Sequence, residues 1–384
     1  MKKVLILSSV AYIIDRFNIP NILLLKELGY EVYVGCNFEN GNICSDDKIA
    51  ELKKLLKKLN VKYYQIDFER SPLKVVEHFI AYKQVKKISL EHKFAFIHCH
   101  SPIGGVVGRL IGRNLGIKII YTAHGFHFYK GAPLRNRILY YWIEKYLSRF
   151  TTLLITINKE DYNNAKNDFY CKRVEYIPGI GVNIEKIKNI KIVRKIKREE
   201  LGIPDNAIIL ISVGELNINK NHSIIIQAIK EINNRNIYYL ICGQGNLEQE
   251  LKNLSQKLNI EDRVKILGFR KDIYELLKTS DIFVFPSKRE GLSVALMEVI
   301  CCELPVVCSN IRGNNDLIIN NVNGFLIENK LNEYIDKIEM ILDGKLDKNT
   351  MLLENKKLEK KICLENIQNK MRDVYLNIYK EEKK

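Results

Sequence analysis

The stretch Asp281-Ile282-Phe283-Val284-Phe285-Pro286-Ser287-Lys288-Arg289-Glu290-Gly291-Leu292-Ser293-Val294-Ala295-Leu296-Met297-Glu298 reads as a buried strand, a glycine turn and the start of an apolar helix. Ile282 to Phe285 has no polar break, so this strand is expected to be covered on both faces. Gly291 lets the chain turn sharply before a helix opening near Ser293. The amides of Leu292, Ser293 and Val294 then lack acceptors inside the helix and point outward, and the helix dipole adds positive potential. Such an end suits an anion of pyrophosphate type. Carboxylates are repelled by phosphate, so Glu290 and Glu298, eight positions apart, fit there by facing hydroxyl groups. Glu290 stands on the loop side, and Glu298 about five residues, or about 8 Å, along the helix. A nucleotide-linked sugar carries hydroxyls on both flanks. The same run also reads as a surface loop before an amphipathic helix with both glutamates solvated, and the rest of the chain decides between the two.

Outward from this stretch, short apolar runs alternate with longer amphipathic ones. The first series is Val4 to Val10, Glu31 to Cys36, Val61 to Ile66, Phe94 to Cys99, Ile117 to Thr122 and Leu153 to Ile157. The second is Ala207 to Val213, Ile237 to Cys242, Val264 to Leu267, Ile282 to Phe285 and Pro305 to Cys308. Continuous apolarity marks strands of a parallel sheet between helical layers, so the fold class expected is α/β, with two doubly wound, Rossmann-like domains. The expected N-terminal domain is 1–183, followed by a basic, poorly patterned linker at 184–205 that ends in Gly202-Ile203-Pro204-Asp205. The C-terminal domain is expected over 206–363, mostly helical after Lys330, with a charged helix over 364–384 packing back on the N-terminal domain. Ligands are expected at the C-terminal strand ends, facing an interdomain cleft.

A chain of 384 residues with 46% apolar content accommodates two cores of ordinary size. The net charge of +16 favours an anionic partner such as a membrane face, nucleic acid or a phosphorylated ligand, although a solvated lysine surface gives the same value. The nine cysteines are odd in number and mostly inside apolar runs, which points to small core residues in a reducing compartment. Cys301 and Cys302 are neighbours in a helix and cannot both face a metal. His98-Cys99-His100 sets two imidazoles on one strand face without a third ligand, so no metal site is expected. Met1-Lys2-Lys3-Val4-Leu5-Ile6-Leu7 resembles the start of a signal peptide but runs to Asp15-Arg16 without a small-residue cleavage site, and is read as a strand. No run reaches the roughly 18 apolar residues of a spanning helix, so membrane contact is expected to be peripheral.

Other constellations sit at strand ends. Gly214-Glu215-Leu216-Asn217-Ile218-Asn219-Lys220 follows one strand, and Lys220 is placed to bring a point charge to a phosphate, or to be a solvated lysine. Gly243-Gln244-Gly245 lacks a G-x-G-x-x-G continuation and reads as a turn. In Tyr121-Thr122-Ala123-His124-Gly125-Phe126-His127, His124 can bond a sugar hydroxyl or stabilise developing charge, with a structural histidine as the alternative. Arg135, Arg137, Tyr140, Tyr141, Trp142, Lys145, Tyr146 and Arg149 interleave basic and aromatic residues in a helix that suits either an anionic lipid surface or ordinary solvation.

Thr122-Ala123-His124-Gly125-Phe126, Ile177-Pro178-Gly179, Val213-Gly214-Glu215-Leu216 with Lys220, Leu267-Gly268-Phe269-Arg270 with Asp272, and Glu290 through Glu298 together resemble family 4 of the retaining glycosyltransferases, in its bacterial capsule and exopolysaccharide branch. The resemblance covers nearly the whole chain and implies the two-domain GT-B fold with an interdomain cleft. It implies transfer of a hexose or N-acetylhexosamine from a nucleotide sugar, expected to be a UDP-sugar, with retained anomeric configuration. The acceptor implied is a polyprenyl-diphosphate-linked saccharide, and the setting the cytoplasmic face of the plasma membrane, where the chain is peripheral. Glu290 would bind donor-sugar hydroxyls, Glu298 the ribose, Lys220 the diphosphate, the loop at Arg270 the base, and His124 the sugar near the reacting carbon. No cofactor or metal is implied, since Lys220 and the helix amides stabilise the departing diphosphate, which itself deprotonates the acceptor. Two positions depart from the family pattern: Glu215 stands where many relatives have arginine, and Ser8-Ser9-Val10 where two glycines are usual. A non-hydrolysing sugar-nucleotide epimerase shares this architecture, and a basic membrane or nucleic-acid binding protein shares the charge. No nucleic-acid motif supports the latter, so no nucleic-acid partner is expected.

Overall fold

A computed structural model describes residues 1–41, 45–71, 73–232, 234 and 236–380; of the nine cysteines, Cys44 lies outside these. The chain forms two compact units, Met1–Ile180 with the chain from Ile367 onward, and Gly181–Asn366.

The first unit is built on seven parallel strands: β1 (Lys3–Val10), β2 (Glu31–Asn37), β3 (Lys62–Gln65), β4 (Phe96–His100), β5 (Lys118–Ala123), β6 (Leu153–Thr156) and β7 (Arg173–Tyr176). They lie in the order β3-β2-β1-β4-β5-β6-β7. Successive side chains feed opposite apolar layers. Val4 and Ile6 join one with Val32, Val34 and Phe96, and Leu5 and Leu7 join the other with Ile97, Ile119 and Tyr121. This two-sided burial is why β1 reads as an unbroken apolar run. The helix Leu364–Lys380 closes the first layer through Ile367, Met371, Val374, Tyr375 and Ile378.

The second unit holds β8 (Ile208–Val213), β9 (Ile237–Cys242), β10 (Val264–Gly268), β11 (Ile282–Phe285), β12 (Val306–Ser309) and β13 (Gly324–Ile327), in the order β10-β9-β8-β11-β12-β13. Phe283 and Phe285 serve one layer, Ile282 and Val284 the other. In each sheet the order reverses beside the first strand, between β1 and β4 and between β8 and β11. Loops diverge at such a switch point and leave room for a ligand at the C-terminal strand ends.

The segment 184–205 departs from the linker expected there. It contains the helices Ile184–Lys188 and Arg194–Glu200, and Ile187 and Ile203 are buried in the core of the second unit. Its basic character hides pairing: Lys197 reaches Asp272 at 2.6 Å and Arg198 reaches Asp281 at 2.9 Å. Strands β7 and β13 add one edge to each sheet beyond the runs read from sequence.

Candidate active site

At the switch point of the second sheet, the loops after β8 and β11 are bound to one another. Lys288 N–H donates to Asn219 O at 2.8 Å, and Asn219 Nδ2 donates to Arg289 O at 2.9 Å. The backbone of Lys220 is pinned by its amide donating to Asn217 Oδ1 at 3.0 Å. Its side chain passes over the Phe285 ring, 4.6 Å from the centroid, and Nζ donates to Glu290 Oε1 at 2.6 Å. The sequence expectation placed these two residues on different parts of one ligand; the structure joins them as an ion pair. Glu215 is exposed and stands outside that pair.

Two glycines permit the loops to meet. A Cβ at Gly243 would lie 1.8 Å from Gly214 O, so Gly243-Gln244-Gly245 is more than a turn: it lets the β9 loop press on the loop that carries Lys220. At Gly313, φ is +83° and a Cβ would lie 2.4 Å from Gly291 O, which brings the β12 loop against the glycine turn. Arg312, just before it, donates from Nε to Glu290 O at 3.1 Å.

The helix Val294–Cys301 opens with Ser293 as N-cap, its hydroxyl accepting from Leu296 N–H at 3.2 Å. Among the described residues no backbone carbonyl meets the amides of Leu292, Ser293 or Val294. Glu298 is largely buried on this helix and accepts from Tyr274 Oη at 2.9 Å. Arg270, after β10, forks onto Asp272 through Nε at 2.8 Å and Nη2 at 2.6 Å, and this guanidinium holds the Asp272 carboxyl well below the usual carboxylate range. Phe269 beside it is exposed. Lys220, Arg270, Glu290, Leu292, Ser293, Val294 and Glu298 thus all stand on C-terminal strand ends of one sheet or on the helix following β11.

In the first unit, His124 follows β5. Its Nε2 lies 3.1 Å from Nδ1 of His100 at the end of β4, and the Phe17 ring lies 5.0 Å away. His98, two residues before His100, bonds Thr122 Oγ1 at 2.8 Å and Tyr375 Oη at 3.0 Å. Burial pushes the imidazoles of His98 and His124 down to about 3 and about 4, and His100 well below its ordinary value. All three are therefore neutral at pH 7. His100, Thr122 and His124 line a cavity of about 30 Å³ together with Phe17, Asn21 and Met371. Ser8 and Ser9 lie within buried β1, where Ser9 N–H donates to Ser101 Oγ at 3.0 Å.

The family description "Glycosyltransferase Family 4" matches residues 23–186, and "Glycosyl transferases group 1" matches 193–359. EpsD of Bacillus subtilis (strain 168) is 35% identical over 334 residues, covering 85% of this chain and 84% of that protein. The chain is a member of glycosyltransferase family 4. A second relative of this glycosyltransferase, the Escherichia coli UDP-Gal:alpha-D-GlcNAc-diphosphoundecaprenol alpha-1,3-galactosyltransferase, is 32% identical over 306 residues, covering 77% of this chain and 78% of that one. The fold is GT-B. Anabaena Alr3699/HepE in complex with UDP matches with a TM-score of 0.74 at 18% identity over 98% of this chain and 100% of that one. WaaG, a glycosyltransferase of lipopolysaccharide biosynthesis, matches with a TM-score of 0.71 at 16% identity over 97% and 99%.

Tyr274, Asn219 and Arg312 are the contributors that sequence reading missed. Tyr274 lies in the helix Ile273–Thr279, and nothing in that helix's pattern sets it apart from a packing residue. Arg312 had one available signal, its place before a glycine just beyond a β12 run already read as strand.

Proposed function

We propose that this glycosyltransferase retains anomeric configuration and moves a hexose or N-acetylhexosamine from a UDP-sugar to a polyprenyl-diphosphate-linked saccharide in polysaccharide synthesis. The observation carrying this reading is the Lys220–Glu290 pair, 2.6 Å long, at the opening of the helix after β11. A cation and a carboxylate that neutralise one another are ready to part when a ligand brings both a diphosphate and hydroxyls. Lys220 then turns to the diphosphate and Glu290 to the sugar. The amides of Leu292, Ser293 and Val294 meet the remaining phosphate charge, Glu298 with Tyr274 takes the ribose, and the loop at Arg270 takes the base.

Since the imidazole is neutral, His124 acts through a hydrogen bond and not as a positive charge. The departing diphosphate oxygen takes the acceptor hydroxyl's proton while the acceptor oxygen bonds the anomeric carbon on the face the diphosphate leaves, so proton and leaving group balance without a protein base. Lys220 and the amides supply the positive charge that a divalent ion would otherwise supply, and no cofactor is required. The acceptor class is supported by the E. coli relative, whose name gives a diphosphoundecaprenol-linked sugar as its acceptor.

We place the enzyme on the cytoplasmic face of the plasma membrane. Among the described residues no helix is long and apolar enough to cross a membrane. The helix Leu134–Leu147 exposes Leu134, Ile138, Leu139 and Trp142 beside Arg135 and Arg137, a face suited to anionic lipid. A thermal-shift panel of UDP- and GDP-sugars tests the donor, because a ligand that binds the folded state raises the unfolding midpoint. UDP-sugars are expected to stabilise the chain and GDP-sugars are not. Stabilisation by neither, or conversion of the donor to its epimer without acceptor, contradicts the proposal.

A further inference from the structure

We infer that His100 is a positioning residue that fixes which ring nitrogen of His124 carries the proton, so that His124 presents Nδ1–H to the sugar. The inference rests on the reading of His124 as a sugar-binding group.

His100 ends β4 and His124 follows β5, and the parallel pairing of the two strands sets His100 opposite Thr122. Nδ1 of His100 and Nε2 of His124 are 3.1 Å apart, so one of them carries the shared proton. Two arrangements satisfy this contact. In the first, His100 Nδ1–H donates to His124 Nε2, leaving a lone pair on His100 Nε2 and a proton on His124 Nδ1. In the second, His124 Nε2–H donates to His100 Nδ1, leaving an N–H on His100 Nε2 and a lone pair on His124 Nδ1.

The surroundings choose between them. His100 is buried, and among the described residues its Nε2 meets no hydrogen-bond partner. Orphaned buried N–H groups are rarer in folded proteins than under-satisfied acceptors, which favours a lone pair at this position. The first arrangement is therefore the stable one. His124 is only partly buried, and in this arrangement its remaining nitrogen, Nδ1, is a donor.

His98 supports His100 from behind. Its ring lies 4.1 Å from that of His100, and both its nitrogens are engaged, by Thr122 and by Tyr375 of the C-terminal helix. Phe17 packs on His124 at 5.0 Å and limits its rotation. The array is a chain of neutral groups that hold one another in place, and the proton it leaves over sits on His124 Nδ1.

The test uses the full chain labelled with 15N-histidine, whose long-range proton–nitrogen spectra report the tautomer of each ring. Wild-type His124 is expected to be the Nδ1–H form, and in His100→Ala its Nδ1–H share is expected to fall several-fold. For transfer, His100→Ala is expected to lower kcat about a hundredfold at little-changed donor KM, and His100→Asn to recover to within about tenfold of wild type. The Asn side-chain amide reaches the place of Nδ1–H; that of His100→Gln reaches the place of Nε2, so Gln is expected not to rescue. An unchanged His124 tautomer in His100→Ala, or Asn and Gln variants equally impaired, overturns the inference. Should His100→Ala fail to fold, the contrast between the Asn and Gln variants decides the same question. The spectra need no substrate, so a fully active His124→Ala refutes the sugar-binding reading, while the tautomer shift alone then decides the positioning.

Discussion

Replacing Glu290 by Gln removes one of the two charges that meet at the opening of the helix Val294–Cys301. The pair is 2.6 Å long, with side chains 18% and 13% exposed for Lys220 and Glu290. The ion pair and a Lys–Gln hydrogen bond are both charge-assisted through Lys220, but only the first adds charge–charge attraction, worth up to about 1 kcal/mol in a partly exposed pair. In the proposed role Lys220 weakens its contact with Glu290 as it turns to a diphosphate, so part of the phosphate attraction is offset. Gln keeps the shape and an acceptor but weakens the bond to be broken by about 1 kcal/mol, or about fivefold in Kd. Glu290→Gln is therefore expected to bind free UDP about fivefold more tightly than wild type while turning over a UDP-sugar more slowly, because its sugar contact is weakened. Lys220→Ala is expected to lose about tenfold or more in UDP affinity, and the double variant to match it, as a coupled pair requires. Titration calorimetry with UDP at fixed ionic strength reads the affinities, and initial rates read turnover. Glu290→Gln binding UDP no more tightly, with Lys220 intact, refutes the reasoning.

Stability is expected to fall on acidification. His98, His124 and His222 are held by burial at about 3, about 4 and about 4, below their ordinary 6.5. The unfolded chain therefore binds more protons as pH drops from 6.5 toward 4. The stability they contribute is full above pH 6.5 and is lost below it at up to about 1.4 kcal/mol per pH unit per histidine. The urea midpoint should be lower at pH 5 than at pH 7.5, and equal midpoints contradict the neutral, buried assignment. Gly313→Ala strains a φ of +83° and sets a Cβ 2.4 Å from Gly291 O, so the loop carrying Glu290 must shift. The expected result is a loss of UDP-sugar affinity exceeding that for UDP alone; unchanged affinity for both contradicts the role of this contact.

The strands that were legible in the sequence are those with two buried faces. Val4 to Val10 and Ile282 to Phe285 serve two apolar layers and so show no polar alternation. The edge strand β7 was not legible for lack of that signal, since Arg173–Tyr176 is half-buried along its length, and β13 was missed because Gly324–Ile327 offers only three apolar residues after a glycine. The segment 184–205 misled because Lys197 and Arg198 look solvated in sequence but are buried through partners far along the chain, Asp272 and Asp281. The site was legible where local order carries it, as in the strand, glycine and helix around Glu290. The tertiary contacts within each unit were not, because neither the Lys220–Glu290 pair of the second unit, 70 residues apart, nor the His100–His124 contact of the first, 24 apart, has a periodic signature.

The most direct measurement is incubation of the chain with a UDP-sugar and a polyprenyl-diphosphate-linked saccharide, followed by determination of the product's anomeric configuration by NMR. A lengthened lipid-linked saccharide whose new linkage keeps the configuration of the donor is expected, formed by wild type and lost in Lys220→Ala. An inverted linkage, or no transfer to any such acceptor from UDP-sugars that bind, would contradict the proposed activity.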